Sequence, residues 1–216
     1  MILITGGLGF LGGRITKHLR QNGFKVRVGS RIKSSETVLM DFTNDLSLEN
    51  SCKGVNQIIH LAGMNAQSSE IDPELSLTIN GLGTLKLLKA AEIEGVSSFI
   101  FFSTVHVYGS PLCGEIDENS LLKPSSSYSI SKRVAEDYVL EANKNISTTI
   151  FRLTNAVGSP VLKDSNCWML VANDLCHQVV TSKNMNIYAS EFVKRDFIPI
   201  SGVCNAVHSS LLLDNS

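Results

Sequence analysis

Thr5-Gly6-Gly7-Leu8-Gly9-Phe10-Leu11-Gly12 decides how this chain is read. A short apolar run, Ile2 to Thr5, precedes it, and a segment of helical period, Leu11 to Asn22, follows, so the glycines fall at a strand-to-helix turn. Each has a physical use there. Gly6 can turn tightly at the strand end, Gly9 lets a pyrophosphate approach the backbone, and Gly12 lets the helix lie close on the sheet. The free N–H groups of the first helical turn, at Phe10 and Leu11, then face the anion. The stretch predicts a dinucleotide-phosphate loop.

Working outward, short runs rich in Ile, Val and Phe recur at Lys25 to Gly29, Gln57 to Leu61, Phe99 to Ser103 and Thr148 to Leu153. They are too short for helices and read as buried parallel strands. Between them, Glu74 to Glu94 and Tyr128 to Asn143 carry the i, i+3, i+4 spacing of covering helices. This alternation predicts an α/β fold with a Rossmann-type, doubly wound parallel sheet over residues 1–155. After Arg152 the pattern loosens through 158–166, a helix-like 167–181 and the stretch 186–203. Residues 156–216 therefore read as a short, partial substrate lobe.

Composition excludes several classes. Of 216 residues 43% are hydrophobic and 18% charged, with 19 Lys+Arg against 20 Asp+Glu, an ordinary balance for a soluble globular chain. A formal charge of −1 supplies no field to gather nucleic-acid backbones, and no basic run is interleaved with aromatics. Met1-Ile2-Leu3-Ile4 is interrupted at once by Gly6-Gly7 and lacks a positive flank, so it predicts neither signal peptide nor membrane span, and a cytoplasmic location is expected. Five cysteines (Cys52, Cys113, Cys167, Cys176, Cys204) form no C-x-x-C pair, which predicts reduced thiols with no disulfide framework or zinc site.

The end of the second strand bears on the cofactor. An acidic residue usually holds the ribose 2′-hydroxyl of NAD at this place. Here Ser30 stands there with Arg31 beside it, and a hydroxyl with a guanidinium can receive a 2′-phosphate that a carboxylate would repel. NAD(P) is the expected cofactor, with NADP slightly favoured over NAD. Asp41-Phe42 follows a further apolar run and is a candidate for the adenine edge.

Tyr128 and Lys132 open a helix at i and i+4 and so share a face. An ammonium near a phenol favours the phenolate and pulls its pKa from about 10 towards neutrality, which predicts a general acid/base. Upstream, Phe99-Ile100-Phe101-Phe102-Ser103-Thr104 ends a strand in two hydroxyls, on the side of a doubly wound sheet that faces the ligand crevice.

The glycine loop, His60-Leu61-Ala62-Gly63, Asn80-Gly81-Leu82-Gly83-Thr84, Ser103-Thr104 with Val107-Tyr108-Gly109, Tyr128 with Lys132, Arg152 with Asn155, and Arg195-Asp196-Phe197 occur in this order. Together, over about residues 1 to 205, they resemble the extended short-chain dehydrogenase/reductase family, in its nucleotide-sugar epimerase/dehydratase branch. The resemblance implies Thr104 as the catalytic hydroxyl, Tyr128 as acid/base, and Lys132 as the residue that tunes the phenol and holds the nicotinamide ribose. It implies that Leu61, Ala62 and Gly63 form the cofactor-side turn, with Ser103 beside it. Asn80 supports the active-site strand region, while Asn155 and Arg195 contact the sugar nucleotide's diphosphate. It also implies a homodimer through the helices of 74–94 and 128–143. Two departures qualify it. Dehydratases of the branch carry an Asp-Glu pair after the catalytic Thr, whereas Val105-His106 stand here, so dehydration lacks its acid and base, with His106 expected as a neutral residue packed in its loop. Relatives also usually continue well beyond the Arg-Asp-Phe segment, which implies an incomplete substrate lobe.

Three readings stay open: an epimerase-type oxidoreductase acting at C4 of an NDP-hexose, an NADP-dependent reductase of a keto sugar or other carbonyl, and a non-catalytic NAD(P)-binding protein. A small-molecule nucleotide sugar is the expected partner, with no metal, nucleic acid or membrane.

Overall fold

The computed structural model describes residues 1–32, 34–112, 114–187 and 194–213; Cys113 and part of the 186–203 stretch lie outside them. Six strands, β1 (Ile2–Thr5), β2 (Val26–Ser30), β3 (Thr37–Leu39), β4 (Gln57–His60), β5 (Ser98–Thr104) and β6 (Ser147–Leu153), form one sheet in the order β3-β2-β1-β4-β5-β6. Every pairing is parallel. The order reverses between β1 and β4, which opens a crevice at the carboxyl ends of those strands.

The unbroken apolar runs are divided by strand parity between two cores. Leu3, Ile58, Phe99 and Phe101 face one side, where α2 (Asp45–Cys52), α5 (Gly83–Ile93) and α6 (Ser127–Ala142) cover them with Leu48, Leu87, Ala91, Ala135 and Val139. Ile2, Ile4, Ile59, Ile100 and Phe102 face the other, against Ile15 and Leu19 of α1 (Phe10–Gln21) and Val203, Cys204, Val207 and Leu211 of α8 (Ile200–Leu213). A seven-residue strand such as β5, buried along its whole length, needs helices on both faces, and this explains why it carries no polar alternation.

The structure corrects the sequence reading in four places. β3 and α2 were not anticipated, since one is three residues long and the other is started by a cap: the Asn44 side chain accepts the Ser47 N–H. The helix expected over 74–94 is built as α4 (Pro73–Ser76), a π-helical stretch Leu77–Leu82, and α5. The helix-like 167–181 segment becomes α7 (Val171–Ser182). Most consequentially, the segment 156–216 is not one lobe, because α8 packs into the second core and belongs to the Rossmann layers. What stands apart is the parallel pair β7 (Asn155–Val157) and β8 (Phe197–Pro199), with α7. No helix among the described residues is long and apolar enough to cross a membrane.

α8 and α1 also meet through His18 Nε2 and His208 Nδ1, 3.2 Å apart. Burial, and after it the field of His208, holds His18 below its ordinary pKa of 6.5. The unfolded chain therefore binds this proton more readily, so stability is present above about pH 6.5 and is lost as pH falls below it. Scanning calorimetry between pH 7.5 and 5.5 should show Tm falling towards acid, and His18→Gln should remove part of that slope.

Candidate active site

At the crevice, Gly6 takes φ +68°, a conformation that a side chain disfavours, and a Cβ there would lie 2.9 Å from the Ala62 nitrogen. A Cβ on Gly12 would sit 2.2 Å from the Gly6 carbonyl oxygen, so the close seating of α1 on the turn depends on glycine. Gly9 differs: its Cβ would meet only the Gly6 oxygen, at 3.2 Å, and it N-caps α1 without a side-chain hydrogen bond. The first turn of α1, with half-buried Phe10 and Leu11, thus begins on a bare backbone.

His60 ties this loop to the turn after β4. The Thr84 hydroxyl donates to the Asn80 carbonyl at 2.6 Å, so it can only accept from His60 Nε2–H, 3.0 Å away. His60 Nδ1 must then accept from the Thr5 hydroxyl at 2.7 Å, whose oxygen in turn accepts the N–H groups of Leu61 and Ala62 at 3.2 and 3.1 Å. Complete burial, with the Lys132 charge adding to it, pulls the imidazole pKa down to about 3, so it is neutral. Thr5 and Thr84 were not singled out in the sequence. A hydroxyl directly before the first glycine was the available signal.

Asn80, on the π-helical stretch, holds the next part of the turn. Its Oδ1 accepts the Met64 N–H at 2.7 Å, and its Nδ2 donates to Ser131 Oγ at 3.0 Å and to the Met64 carbonyl at 3.3 Å. A Cβ on Gly63 would touch Asn80 Oδ1 at 2.7 Å and lie 3.8 Å from Lys132 Nζ, which places all three together.

Ser103 and Thr104 end β5, both buried. Ser103 Oγ is buried without a hydrogen-bond partner among the described residues. Thr104 Oγ1 accepts the His106 N–H at 3.3 Å and lies close enough to Tyr128 to bear on its phenol. Tyr128 is carried on the first turn of α6, which starts there because Ser126 and Ser129 form a reciprocal capping box. Here the expected electrostatics are corrected: burial pushes the Tyr128 phenol up to about 12, and the nearby Thr104 hydroxyl opposes that only in part. Lys132 does not point its ammonium at the phenol. It donates to the Phe102 carbonyl at 2.7 Å and lies 4.6 Å from the centre of the Phe101 ring. Burial draws Lys132 down to about 8, and Glu136 acts against this. The i, i+4 spacing puts both side chains on one face, and the four-carbon stem of Lys132 carries its ammonium to the backbone of β5. His106 is also corrected: it is exposed rather than packed, with its ring edge-on to Tyr128 at 6.5 Å between centres.

A cleft of about 1570 Å³ is lined by His106, Tyr108, Arg152, Asn155 and Arg195, among others. Pairing of β7 with β8 brings the last two together across 40 residues of sequence, since Asn155 Nδ2 donates to the Asp196 carbonyl at 2.9 Å while Arg195 is exposed beside it. Arg152 is not free for a ligand. Its guanidinium grips fully buried Glu136 through three contacts of 2.9 to 3.2 Å, and it donates to Tyr108 Oη at 2.8 Å.

At the β2 end, Ser30 Oγ accepts the Ile32 N–H at 3.0 Å and Arg31 is exposed. The adenine-edge candidates divide. Asp41 is exposed, and its carboxylate is held below its usual range by the hydroxyl and N–H of Thr43, as in a turn cap. Phe42 is not available to a ligand, because it is buried against His60, with ring centres 5.5 Å apart. Among the described residues no cluster of three or more His, Cys, Asp or Glu is placed to hold a metal.

A Gly-rich strand-to-helix turn at the switch point of a 3-2-1-4-5-6 sheet, with a Thr–Tyr–Lys constellation on β5 and α6, defines the class to which this chain is to be compared. The sequence pattern of the NAD dependent epimerase/dehydratase family matches residues 2–215, and the chain belongs to that family. It is 29% identical over 220 residues to a Methanocaldococcus jannaschii protein named “Putative UDP-glucose 4-epimerase”, covering 95% of this chain and 72% of that one. With GDP-6-deoxy-D-talose 4-dehydrogenase of Aggregatibacter actinomycetemcomitans it shares 27% identity, over 99% of this chain and 71% of the relative. Of solved structures, MoeE5 in complex with UDP-glucose and NAD superposes with a TM-score of 0.83 at 25% identity, covering 96% of this chain and 70% of that one.

The glycines of the loop separate by stability. Gly12→Ala pushes a methyl into backbone and should cost about 1–3 kcal/mol, several degrees of Tm, whereas Gly9→Ala, which meets a single backbone oxygen at 3.2 Å, should lower Tm less. Thermal melts of the two variants check this.

Proposed function

We propose that this chain is an oxidoreductase of nucleotide sugars that acts at C4 of an NDP-hexose through a nicotinamide cofactor, in the manner of a 4-epimerase. The observation that carries the reading is the Thr104 hydroxyl close to the Tyr128 phenol at the crevice end of β5, with Lys132 one helical turn on and the glycine loop adjoining. Family membership and relatives named as nucleotide-sugar epimerases and dehydrogenases support it.

The residues present fit a dinucleotide. Gly9, whose own N–H donates to the Gly6 carbonyl, leaves room for a pyrophosphate before the uncapped first turn of α1, whose backbone N–H groups face it. Leu61, Ala62 and Gly63 line the facing turn, and buried Ser103 Oγ has hydrogen-bonding capacity to spare. When bound, the cofactor supplies the acceptor and donor of hydride. Tyr128 in its ionised form takes the proton of the sugar 4-hydroxyl at its phenol oxygen and later returns it. Thr104 hydrogen-bonds the same substrate oxygen, and Lys132 holds the ribose. Asn155 and Arg195 hold the diphosphate from the β7–β8 side. For epimerisation the 4-keto sugar must present its other face before hydride is returned to C4.

A second reading, an NADP-dependent reductase of a keto sugar, is favoured by the β2 end, where no carboxylate stands and exposed Arg31 can meet a 2′-phosphate. A homodimer is supported by exposed Leu77, Leu82, Ile130 and Tyr138 on the two helical segments concerned.

Tyr128→Phe should leave NAD(P) affinity nearly intact and lower turnover of UDP-hexoses at least about a hundredfold, while Lys132→Met should lower both. Equal loss of affinity in Tyr128→Phe would make Tyr128 structural, and absence of turnover in the native chain would favour the non-catalytic reading. Titration calorimetry with both cofactors tests the second point. The native chain should prefer NADP about tenfold or more, and Ser30→Asp should reverse the order.

A further inference from the structure

His106 stands in the cleft wall directly after the strand that ends in Thr104. One tight helical turn, Val105–Tyr108, carries it, and its backbone is pinned on both sides: its N–H donates to Thr104 Oγ1 at 3.3 Å, and its carbonyl accepts the Gly109 N–H at 3.1 Å. The side chain itself is exposed, yet its ring stands edge-on to Tyr128, with centres 6.5 Å apart and planes at 69°. Among the described residues neither ring nitrogen has a hydrogen-bond or ion-pair partner. The other histidines are engaged. His60 is hydrogen-bonded through both nitrogens, His18 and His208 bond each other, and His177 lies against the Trp168 ring. A fixed backbone thus holds a free imidazole beside the phenol that handles the proton of the sugar 4-hydroxyl. That proton already has its base, so a second one here acts on a different atom.

We propose that this site has a further activity, the enolisation of a 4-keto sugar nucleotide, with His106 as its base: the imidazole takes a proton from a carbon next to the C4 ketone and gives one back. The proposal deepens the reading above and rests on it for the ketone. Oxidation at C4 makes the C–H bonds of C3 and C5 acidic, because the carbonyl can accept the electron pair that either leaves behind. Both carbons are one bond from C4, so a base packed against the phenol that holds the C4 oxygen is on hand for one of them. When the C–H bond breaks, its pair forms a C=C bond to C4, and the C=O π pair moves onto the oxygen. Two hydroxyls meet that negative charge, from Thr104 and from Tyr128. Having taken the 4-hydroxyl proton, Tyr128 is a neutral phenol, the form that burial favours, and so donates there. The imidazolium exchanges its proton with water in the open cleft and returns one to the same carbon, which restores the ketone. One C–H bond breaks and one forms, with no change of oxidation state and no leaving group.

The test supplies the ketone ready-made. The chain is incubated in heavy water with NAD and a dTDP-linked 4-keto-6-deoxyhexose, and proton NMR follows loss of the C3 and C5 signals against a buffer control. The native chain should exchange one of the two positions at least about a hundredfold faster than buffer, the usual scale for a positioned base. His106→Ala should lose at least about tenfold of that rate, and added imidazole, which the open cleft admits, should restore part of it. Exchange no faster than in buffer, an unchanged rate in His106→Ala, or a loss that imidazole does not repair overturns the proposal. Turnover of UDP-hexoses at C4 is scored separately. Its absence with exchange intact overturns the epimerase reading and leaves His106 as the base of a ketone-enolising site. Turnover at C4 with no exchange at either carbon overturns the proposal and leaves the epimerase reading standing.

Discussion

A neutral imidazole at the end of β4 joins parts of the chain that would otherwise drift independently. His60 accepts from Thr5 and donates to Thr84, so the tip of β1, the tip of β4 and helix α5 share one hydrogen-bonded chain. Each donor in it has one acceptor, and the order of donation permits a single tautomer. Because Thr5 immediately precedes Gly6 and also receives the Leu61 and Ala62 amides, this chain sets the distance between the glycine loop and the facing turn. Protonating His60 would place a charge in the core, and burial strongly disfavours that. The crevice is thus held open by a group that stays uncharged at neutral pH.

On the other side of the crevice the order is kept by charge. Lys132, Glu136 and Arg152 form a graded series from the end of β5 to the cleft wall: an ammonium on a carbonyl, a carboxylate with no exposed surface, and a guanidinium that reaches the Tyr108 hydroxyl. Removing Arg152 would strand the Glu136 carboxylate in a low-dielectric interior. The two arrangements meet at Gly63 and Asn80, where the neutral network and the ammonium lie within contact distance. Tyr128 and Thr104 sit between them, positioned by a helix start and a strand end rather than by a loop.

Much of this was legible beforehand. Alternating runs of strand and helix length predicted the sheet, because a parallel strand buried on both faces must be apolar throughout. Glycines at Gly6 and Gly12 marked the turn, and hydroxyls at Ser103 and Thr104 marked a strand end. Less visible were β3 and α2, whose short lengths leave little periodicity, and the π-helical stretch around Asn80, which has no composition of its own. Phe42 shows the converse: next to an acidic residue it read as a ligand contact, yet an aromatic side chain beside His60 is better buried.

What the sequence determined by itself is therefore the local grammar: which segments are strands or helices, where the phosphate loop turns, and that Tyr128 and Lys132 share a helical face. Tertiary structure alone decided three things. It turned the Lys132 ammonium away from Tyr128 onto the Phe102 carbonyl, because burial makes an unsatisfied donor costly. It gave α8 to the sheet rather than to the second lobe, because Val203, Val207 and Leu211 fit the apolar face beside α1. It paired Arg152 with Glu136, 16 residues apart on different elements, because a carboxylate on the inner face of α6 needs a cation and only the neighbouring strand brings one within reach of both its oxygens. Local sequence periodicity specifies direction along a chain, whereas the partner of a buried polar group is specified only once the layers have closed around it.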